Sequence, residues 1–317
     1  MQLQPPRKAL RNLIYVGLAL LGIYFGACYR MALGLVRPAR SHLTCPAELR
    51  DALIPTRFGN TPAWCTPGLA DRKPSYVVFV LVHGFGGSRG SWTDLMDALG
   101  KRGYDSVVPC MPGQDASPVH QVGFGIPEAH VVVDTVKWVR SQSTRPVKVV
   151  VLGVSLGGSA SWIAGSEDPT IDAIVSESAF ANFGEAMNRF FDRKFPGGSV
   201  VLSPVIFFAR RITGIDPATV NPIEQAKAWR GKMGLVIQAG DDSLVTPDQG
   251  ERLADATQCP YWLVPGATHS KCSEVDPTGY VEHLTAVAEA LESGSFQPKP
   301  FKKVDPRRLP GHGPYLE

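Results

Sequence analysis

No stretch of the sequence interleaves basic residues with aromatics, and Lys plus Arg exceeds Asp plus Glu by only three, 32 against 29. So small an excess argues against a nucleic-acid partner or a strongly acidic substrate. No spaced cluster of His, Cys or carboxylates reads as a metal site. No internal repeat is present. Cysteine is sparse, at six residues: Cys28, Cys45, Cys65, Cys110, Cys259 and Cys272. What is plentiful is apolar surface. A hydrophobic content of 44% over 317 residues suffices for one large core or two modest ones, and one principal domain with attachments fits best.

One of those attachments is N-terminal. Leu13 to Tyr29 carries no charged residue and is preceded by Arg7, Lys8 and Arg11, which reads as a membrane-targeting segment. Its 17 residues would span about 26 Å at roughly 1.5 Å per residue, slightly short of a hydrocarbon core of about 30 Å. A cleaved signal peptide and a retained anchor compete. The anchor is favoured, because Phe25 spoils the small-residue site at Ala27 and Arg30 follows closely. Phe25-Gly26-Ala27-Cys28 also faintly resembles a bacterial lipobox, in which Cys28 would be lipidated, with Phe in place of the usual leucine-like residue.

Arg30, Arg37 and Arg40 follow the run as closely as the three basic residues precede it, so the positive-inside count is nearly balanced. The basic N-terminus favours an anchor with its start inside and the body exported, the cytoplasmic side being the alternative. Cys45 and Cys65 bracket a Pro-rich polar segment and are the pair expected to bond after export, two unpaired thiols being the alternative. At the other end, Ser293 to Glu317 carries Pro298, Pro300, Pro306, Pro310 and Pro314 with scattered Lys and Arg, the composition of an extended surface tail.

Residues 1–40 thus read as anchor or signal, 41–75 as a linker, 76–292 as the body and 293–317 as the tail. Tyr76 to Val82 is a continuous β-branched and aromatic run, as expected of a strand buried on both faces. Further strands are expected at Asp105 to Cys110, Val147 to Leu152, Ile171 to Val175, Gly234 to Gln238 and Tyr261 to Val264. Between them, Ser91 to Leu99, Pro127 to Val139, Pro247 to Ala256 and Tyr280 to Leu291 read as helices. The alternation predicts an α/β fold, a mostly parallel sheet covered on both faces, with strand carboxyl ends as site positions. Residues 181–230 break the alternation and contain Phe183, Phe190, Phe191, Phe195, Phe207 and Phe208. They are expected to form a helical cap, whose aromatics either line an apolar substrate pocket or simply glue the cap to the body.

Gly153-Val154-Ser155-Leu156-Gly157 follows the strand Val147 to Leu152 and opens a small-residue helix. A serine hydroxyl is a poor nucleophile until it is held exposed beside a base, and a sharp strand-to-helix turn gives that exposure. Gly153 and Gly157 are expected to be glycine because a side chain there would crowd the strained backbone. The other requirements fall at later strand ends. Ala239-Gly240-Asp241-Asp242-Ser243-Leu244-Val245 follows one strand and Pro265-Gly266-Ala267-Thr268-His269 another, placing Ser155, an Asp and His269 in nucleophile, acid, base order. Asp242 is preferred as the acid because Ser243-Leu244-Val245 completes a D-x-x-V pattern, with Asp241 a turn former and Glu177 a third candidate. Oxyanion donors are expected from the backbone N–H groups of Leu156 and of Phe85, within His83-Gly84-Phe85-Gly86-Gly87, where His83 is structural.

From roughly Tyr76 to Leu291 the chain therefore resembles the α/β-hydrolases. Gly153-Val154-Ser155-Leu156-Gly157-Gly158, Ser176-Glu177-Ser178-Ala179-Phe180 and Ala239-Gly240-Asp241-Asp242 resemble the serine aminopeptidase-like and monoglyceride lipase-like branch. The resemblance implies a capped α/β-hydrolase fold, serine hydrolase chemistry without cofactor or metal, and a small-molecule substrate. Dehalogenases are disfavoured, since they place an aspartate where Ser155 stands. An apolar cap beside a membrane tether favours lipid-like or acyl esters. A peptidase of aminopeptidase type is the alternative, and would need a cap carboxylate for the substrate's amino terminus, for which Glu185, Asp192 and Asp216 are available. A non-catalytic scaffold is the third reading, against which the complete Ser–Asp–His set argues.

Overall fold

The β-branched runs become the centre of one sheet, and the helices between them cover its two faces. The computed structural model describes residues 7–295, so the expected tail lies outside the described residues from 296 onward. Helix α1 (Arg7–Val36) is followed by a hairpin of β1 (Arg50–Thr56) and β2 (Gly59–Cys65), then by one helical turn, α2 (Pro67–Ala70). Next come β3 (Val77–Val82), α3 (Thr93–Gly100), β4 (Asp105–Pro109), α4 (Ile126–Ser141), β5 (Lys148–Val154), α5 (Leu156–Glu167) and β6 (Ala173–Glu177). The cap holds α6 (Phe183–Asp192), α7 (Gly198–Val201), α8 (Ser203–Thr213) and α9 (Pro222–Ala226). The chain then completes the sheet with β7 (Gly234–Ala239), α10 (Pro247–Thr257), β8 (Tyr261–Val264), α11 (Cys272–Val275) and α12 (Pro277–Ser293).

The eight strands lie in the order β1-β2-β4-β3-β5-β6-β7-β8. From β4 to β8 every pairing is parallel, and only the β1–β2 and β2–β4 pairings are antiparallel. Every residue of β3 is buried, which is why its sequence is an unbroken apolar run rather than an alternating one. Val78, Val80 and Val82 enter a core shared with α4, α5, the cap and α1, while Val77, Phe79 and Leu81 enter a second core with α3 and α12.

Three expectations are corrected. Residues 41–75 are no plain linker, since β1 and β2 pair from Arg50–Cys65 to Thr56–Gly59 and join the sheet edge. Cys45 and Cys65 are not bonded, and all six cysteines are free thiols. Cys65 is buried at the end of β2, and burial pushes its thiol up to about 12. The apolar helix also runs beyond Tyr29: α1 has 30 residues, and Lys8–Val36 is long and apolar enough to cross a membrane.

Its second half belongs to the body. Cys28, Ala32 and Val36, spaced one helical turn apart, form a buried stripe. The Val36 carbonyl accepts the Val122 N–H at 2.9 Å. Arg40 Nε donates to the Asp115 carbonyl at 2.8 Å, and its guanidinium also reaches the Ser117 carbonyl.

Candidate active site

Strand β5 delivers Ser155 at φ 54° and ψ −118°, a positive φ that non-glycine residues seldom adopt, and α5 begins at the next residue. The tightness of this turn dictates its neighbours. A Cβ on Gly153 would stand 2.3 Å from the Gly157 carbonyl oxygen, and one on Gly157 would stand 2.2 Å from that of Val82. Gly84 also lies against the turn, where a Cβ would approach Ser155 Cβ to 3.1 Å. The Ser155 N–H donates to the Glu177 carbonyl at 2.8 Å, tying the turn to the end of β6.

His269 Nε2 lies 2.8 Å from Ser155 Oγ, and His269 Nδ1 lies 2.6 Å from Asp242 Oδ2. With the Nδ1 proton donated to the carboxylate, Nε2 is left to accept the serine proton. Asp242 is buried, and its other oxygen accepts the Leu244 and Val245 N–H groups at 2.9 and 2.8 Å, so the D-x-x-V loop holds its own aspartate. Asp241 is exposed, and its N–H donates to the Ala267 carbonyl at 2.8 Å, joining the loops that carry Asp242 and His269.

Glu177 is buried but turned elsewhere. Its carboxylate accepts the Cys272 N–H at 2.9 Å and the Tyr280 hydroxyl at 2.8 Å. Burial raises its pKa, against the opposing effect of those two hydrogen bonds. The structure thus brings Asp242, not Glu177 or Asp241, to His269. Tyr280 and the Cys272 amide escaped the sequence reading, because nothing in the α11–α12 sequence marks them as partners of a residue about 100 positions earlier.

The oxyanion candidates lie on the residue after Ser155 and on the 83–87 loop, which lies against the serine turn at Gly84. Leu156 is the first residue of α5, where backbone donors lack an intrahelical acceptor. In the 83–87 loop, Gly86 N–H donates to Gln114 Oε1 and Gly87 N–H to the Gly84 carbonyl, whereas the Phe85 N–H has no acceptor among the described residues. Gln114, buried after β4, is a second residue the sequence did not reveal. His83 is buried with Nδ1 3.0 Å from the Gly84 carbonyl, and burial lowers its pKa, so the ring is neutral and donates from Nδ1.

Two compartments meet at Ser155. One is an apolar cavity of about 130 Å³ walled by Leu35, Phe124, Phe180, Phe183, Met187 and Phe190, among others. The other is an open cleft of about 1020 Å³ running past His83, Trp92, Arg102, His269, Lys271 and Glu274. The cap phenylalanines divide accordingly: Phe183 and Phe190 line the cavity, and Phe191 is buried in the core. Phe208 packs edge-on against Tyr29 of α1, and Phe195 and Phe207 are exposed. None of the cap carboxylates lines either compartment. Glu185 pairs with Arg252 at 2.7 Å, Asp216 pairs with Arg210 at 2.9 Å, and Asp192 accepts the Ser199 N–H at 2.8 Å.

A family profile described as the alpha/beta hydrolase fold matches residues 77–199, from β3 through the serine turn into the cap. No curated protein matches the chain. Among solved structures, it is similar to the esterase Pf2001 of Pyrococcus furiosus, with a TM-score of 0.64 at 18% identity over 80% of this chain and 98% of that one. It is also similar to the alpha/beta hydrolase GrgF of Penicillium, with a TM-score of 0.57 at 14% identity over 76% of this chain and 98% of that one. Strand order, profile match and structural likeness agree that this chain has the α/β-hydrolase fold.

Proposed function

We propose that the chain is a membrane-anchored serine hydrolase that cleaves carboxylic esters through an acyl-enzyme on Ser155. The observation that carries this reading is the unbroken chain Ser155 Oγ–His269–Asp242, at 2.8 and 2.6 Å, at the junction of the apolar cavity and the open cleft. As Ser155 Oγ attacks the ester carbonyl, its proton passes to His269 Nε2, and Asp242 holds the ring and stabilises its cation. The carbonyl oxygen gains negative charge between the N–H groups of Phe85 and Leu156, where each donor is worth about 10²–10³ in rate. His269 returns the proton to the leaving alkoxide; water then attacks the acyl carbon as His269 takes its proton, and that proton passes to Ser155 Oγ as the acyl–Oγ bond breaks and the acid departs.

The compartments divide the substrate. The apolar cavity suits the acyl chain, and the cleft, with Arg102, Lys271 and Glu274 on its wall, leaves room for a polar alcohol portion. The likeness of the fold to the esterase Pf2001 supports an ester, whereas the branch resemblance spans both aminopeptidase-like and monoglyceride lipase-like proteins. The aminopeptidase alternative loses support because Glu185, Asp192 and Asp216 are engaged away from the serine. For the anchor, a lipid on Cys28 or a cut beside it is disfavoured because Cys28 is buried against the body, whereas residues 8–23 project from it uncovered.

A fluorophosphonate probe should label the full chain, and Ser155→Ala should abolish the labelling. Equal labelling of both would overturn the mechanism. Nitrophenyl esters of increasing chain length, assayed beside aminoacyl amides, decide the bond cleaved: turnover of the amides alone would overturn the ester reading.

A further inference from the structure

Part of the cap's apolar surface covers nothing. Phe195, Val200, Val201 and Phe207 are 41%, 76%, 47% and 57% exposed, in the turn before α7, on α7 and on α8. Phe190 belongs both to this surface and to the wall of the cavity at Ser155. Grouped apolar exposure of this kind marks a contact surface, unlike isolated exposed side chains. Between Asp192 and Asp216 the chain carries Arg193, Lys194, Arg210 and Arg211 and no acidic residue. Lys194 Nζ lies 5.1 Å from the Phe190 ring centre, and the Arg211 guanidinium carbon lies 5.9 Å from that of Phe207. Cations that flank aromatics in this way suit the boundary between acyl chains and anionic headgroups.

The same surface is where α1 meets the cap. The Tyr24 hydroxyl donates to the Val201 carbonyl, and the Tyr29 and Phe208 rings meet edge-on at 5.5 Å. Tyr24 precedes Arg30 by six residues, about 9 Å along a helix rising roughly 1.5 Å per residue. A bilayer that takes in the apolar run up to Tyr29 therefore takes in the level of Val201 as well. Depth along α1 and exposure of α7 are separate observations, and they meet at Val201.

We propose that the turn before α7, α7 itself and the outer face of α8 form a shelf that enters an anionic lipid bilayer beside α1. An ester chain would then leave the bilayer and reach the Ser155 cavity past Phe190 of α6 and Leu35 of α1, without crossing water. This inference rests on reading α1 as a membrane anchor and Ser155 as the nucleophile, and its test separates the three.

The full chain, carrying Val200→Trp, Ile14→Trp or Glu289→Trp, is placed in phosphatidylcholine–phosphatidylglycerol vesicles containing brominated phosphatidylcholine, against the background of the six native tryptophans. The emission added by Val200→Trp and by Ile14→Trp should be quenched, while that of Glu289→Trp, exposed on α12 over the other sheet face, should persist. Quenching of Ile14→Trp without Val200→Trp overturns the shelf, as does equal quenching of Val200→Trp and Glu289→Trp. Quenching of none overturns the anchor and the shelf with it.

Kinetics supply a second arm. Val200→Asp combined with Val201→Asp should slow hydrolysis of a long-chain ester held in the vesicles by about tenfold and leave a soluble acetate ester unaffected, since charge enters the bilayer boundary at a cost. Equal rates on the vesicle ester overturn the shelf, and so does an equal loss on both esters. No turnover of either ester by the unsubstituted chain overturns the esterase reading, and the quenching result then stands alone on the shelf.

Discussion

Two buried carboxylates compete for the role of orienting His269, and their hydrogen bonds separate them. Asp242 gives one oxygen to two loop amides and the other to His269 Nδ1, whereas both oxygens of Glu177 are taken by Cys272 and Tyr280. Glu177 is a positioning residue. Its carbonyl holds the Ser155 N–H, and its side chain holds the segment just past His269, so one residue sets the spacing of Ser155 and His269. Asp242→Asn should lower kcat on a short nitrophenyl ester by about 10³–10⁴, because an amide favours the wrong imidazole tautomer. Glu177→Ala should cost about 10²-fold in kcat with little change in KM, the scale of a misplaced catalytic group. Glu177→Gln should recover most of that loss, since its carbonyl can accept from Cys272 while its amide donates to the Tyr280 hydroxyl. If Glu177→Gln were as damaging as Glu177→Ala and Asp242→Asn were mild, the two roles would have to be exchanged.

At the scale of elements, α4 depends on an unusual cap. Gly125 precedes it at φ 109°, and the buried Glu128 carboxylate accepts the Gly123 and Gly125 N–H groups at 2.9 and 2.8 Å. Burial nevertheless raises its pKa to about 7, the two amides opposing that shift only in part. In the unfolded chain the carboxyl loses its proton near the ordinary value of 4.5, so between about 4.5 and 7 the folded state binds more protons and stability falls as pH rises. The window amounts to about 3 kcal/mol at about 1.4 kcal/mol per pH unit. Urea denaturation across that range should show wild type losing stability relative to Glu128→Gln, with a flat difference above the window; a flat difference throughout would refute the buried proton.

None of this capping was legible in the sequence, because it depends on where the 123–125 turn is buried. Strands β3, β5 and β7 were legible because strands covered on both faces must be apolar at every position. The β1–β2 hairpin was not. Pro55 and Pro62 disguise it, yet Pro55 lies on β1 at the sheet edge, where proline is tolerated, and Pro62 of β2 lies just before the pairing with β4 begins at Ala63. Of the candidate site, Ser155, Asp242 and His269 were legible because each follows a recognisable strand. Glu177's partners and the fate of each cap phenylalanine were set by packing between distant segments.

For the molecule as a whole, α1 unites two roles that the sequence presents as one apolar run. Residues 8–23 are exposed along their whole length, while Tyr24, Cys28, Ala32, Leu35 and Val36 pack into the core shared by α4, α5 and the cap, and Leu35 also lines the cavity at Ser155. Deleting residues 1–23 should therefore leave folding and hydrolysis of short soluble esters intact while abolishing membrane association. Deleting residues 1–36 is a different operation. It unpacks Cys28, Ala32 and Val36 and leaves the Val122 N–H without its acceptor, at a cost on the order of 4 kcal/mol. That is a large share of a domain's stability of about 5–15 kcal/mol. Thermal denaturation should put the shorter deletion level with the full chain and the longer one well below it, with weakened hydrolysis because a cavity wall is gone. Equal stability of the two deletions would show that the second half of α1 is a tether resting on the body rather than part of it, and would remove Leu35 from the substrate's path.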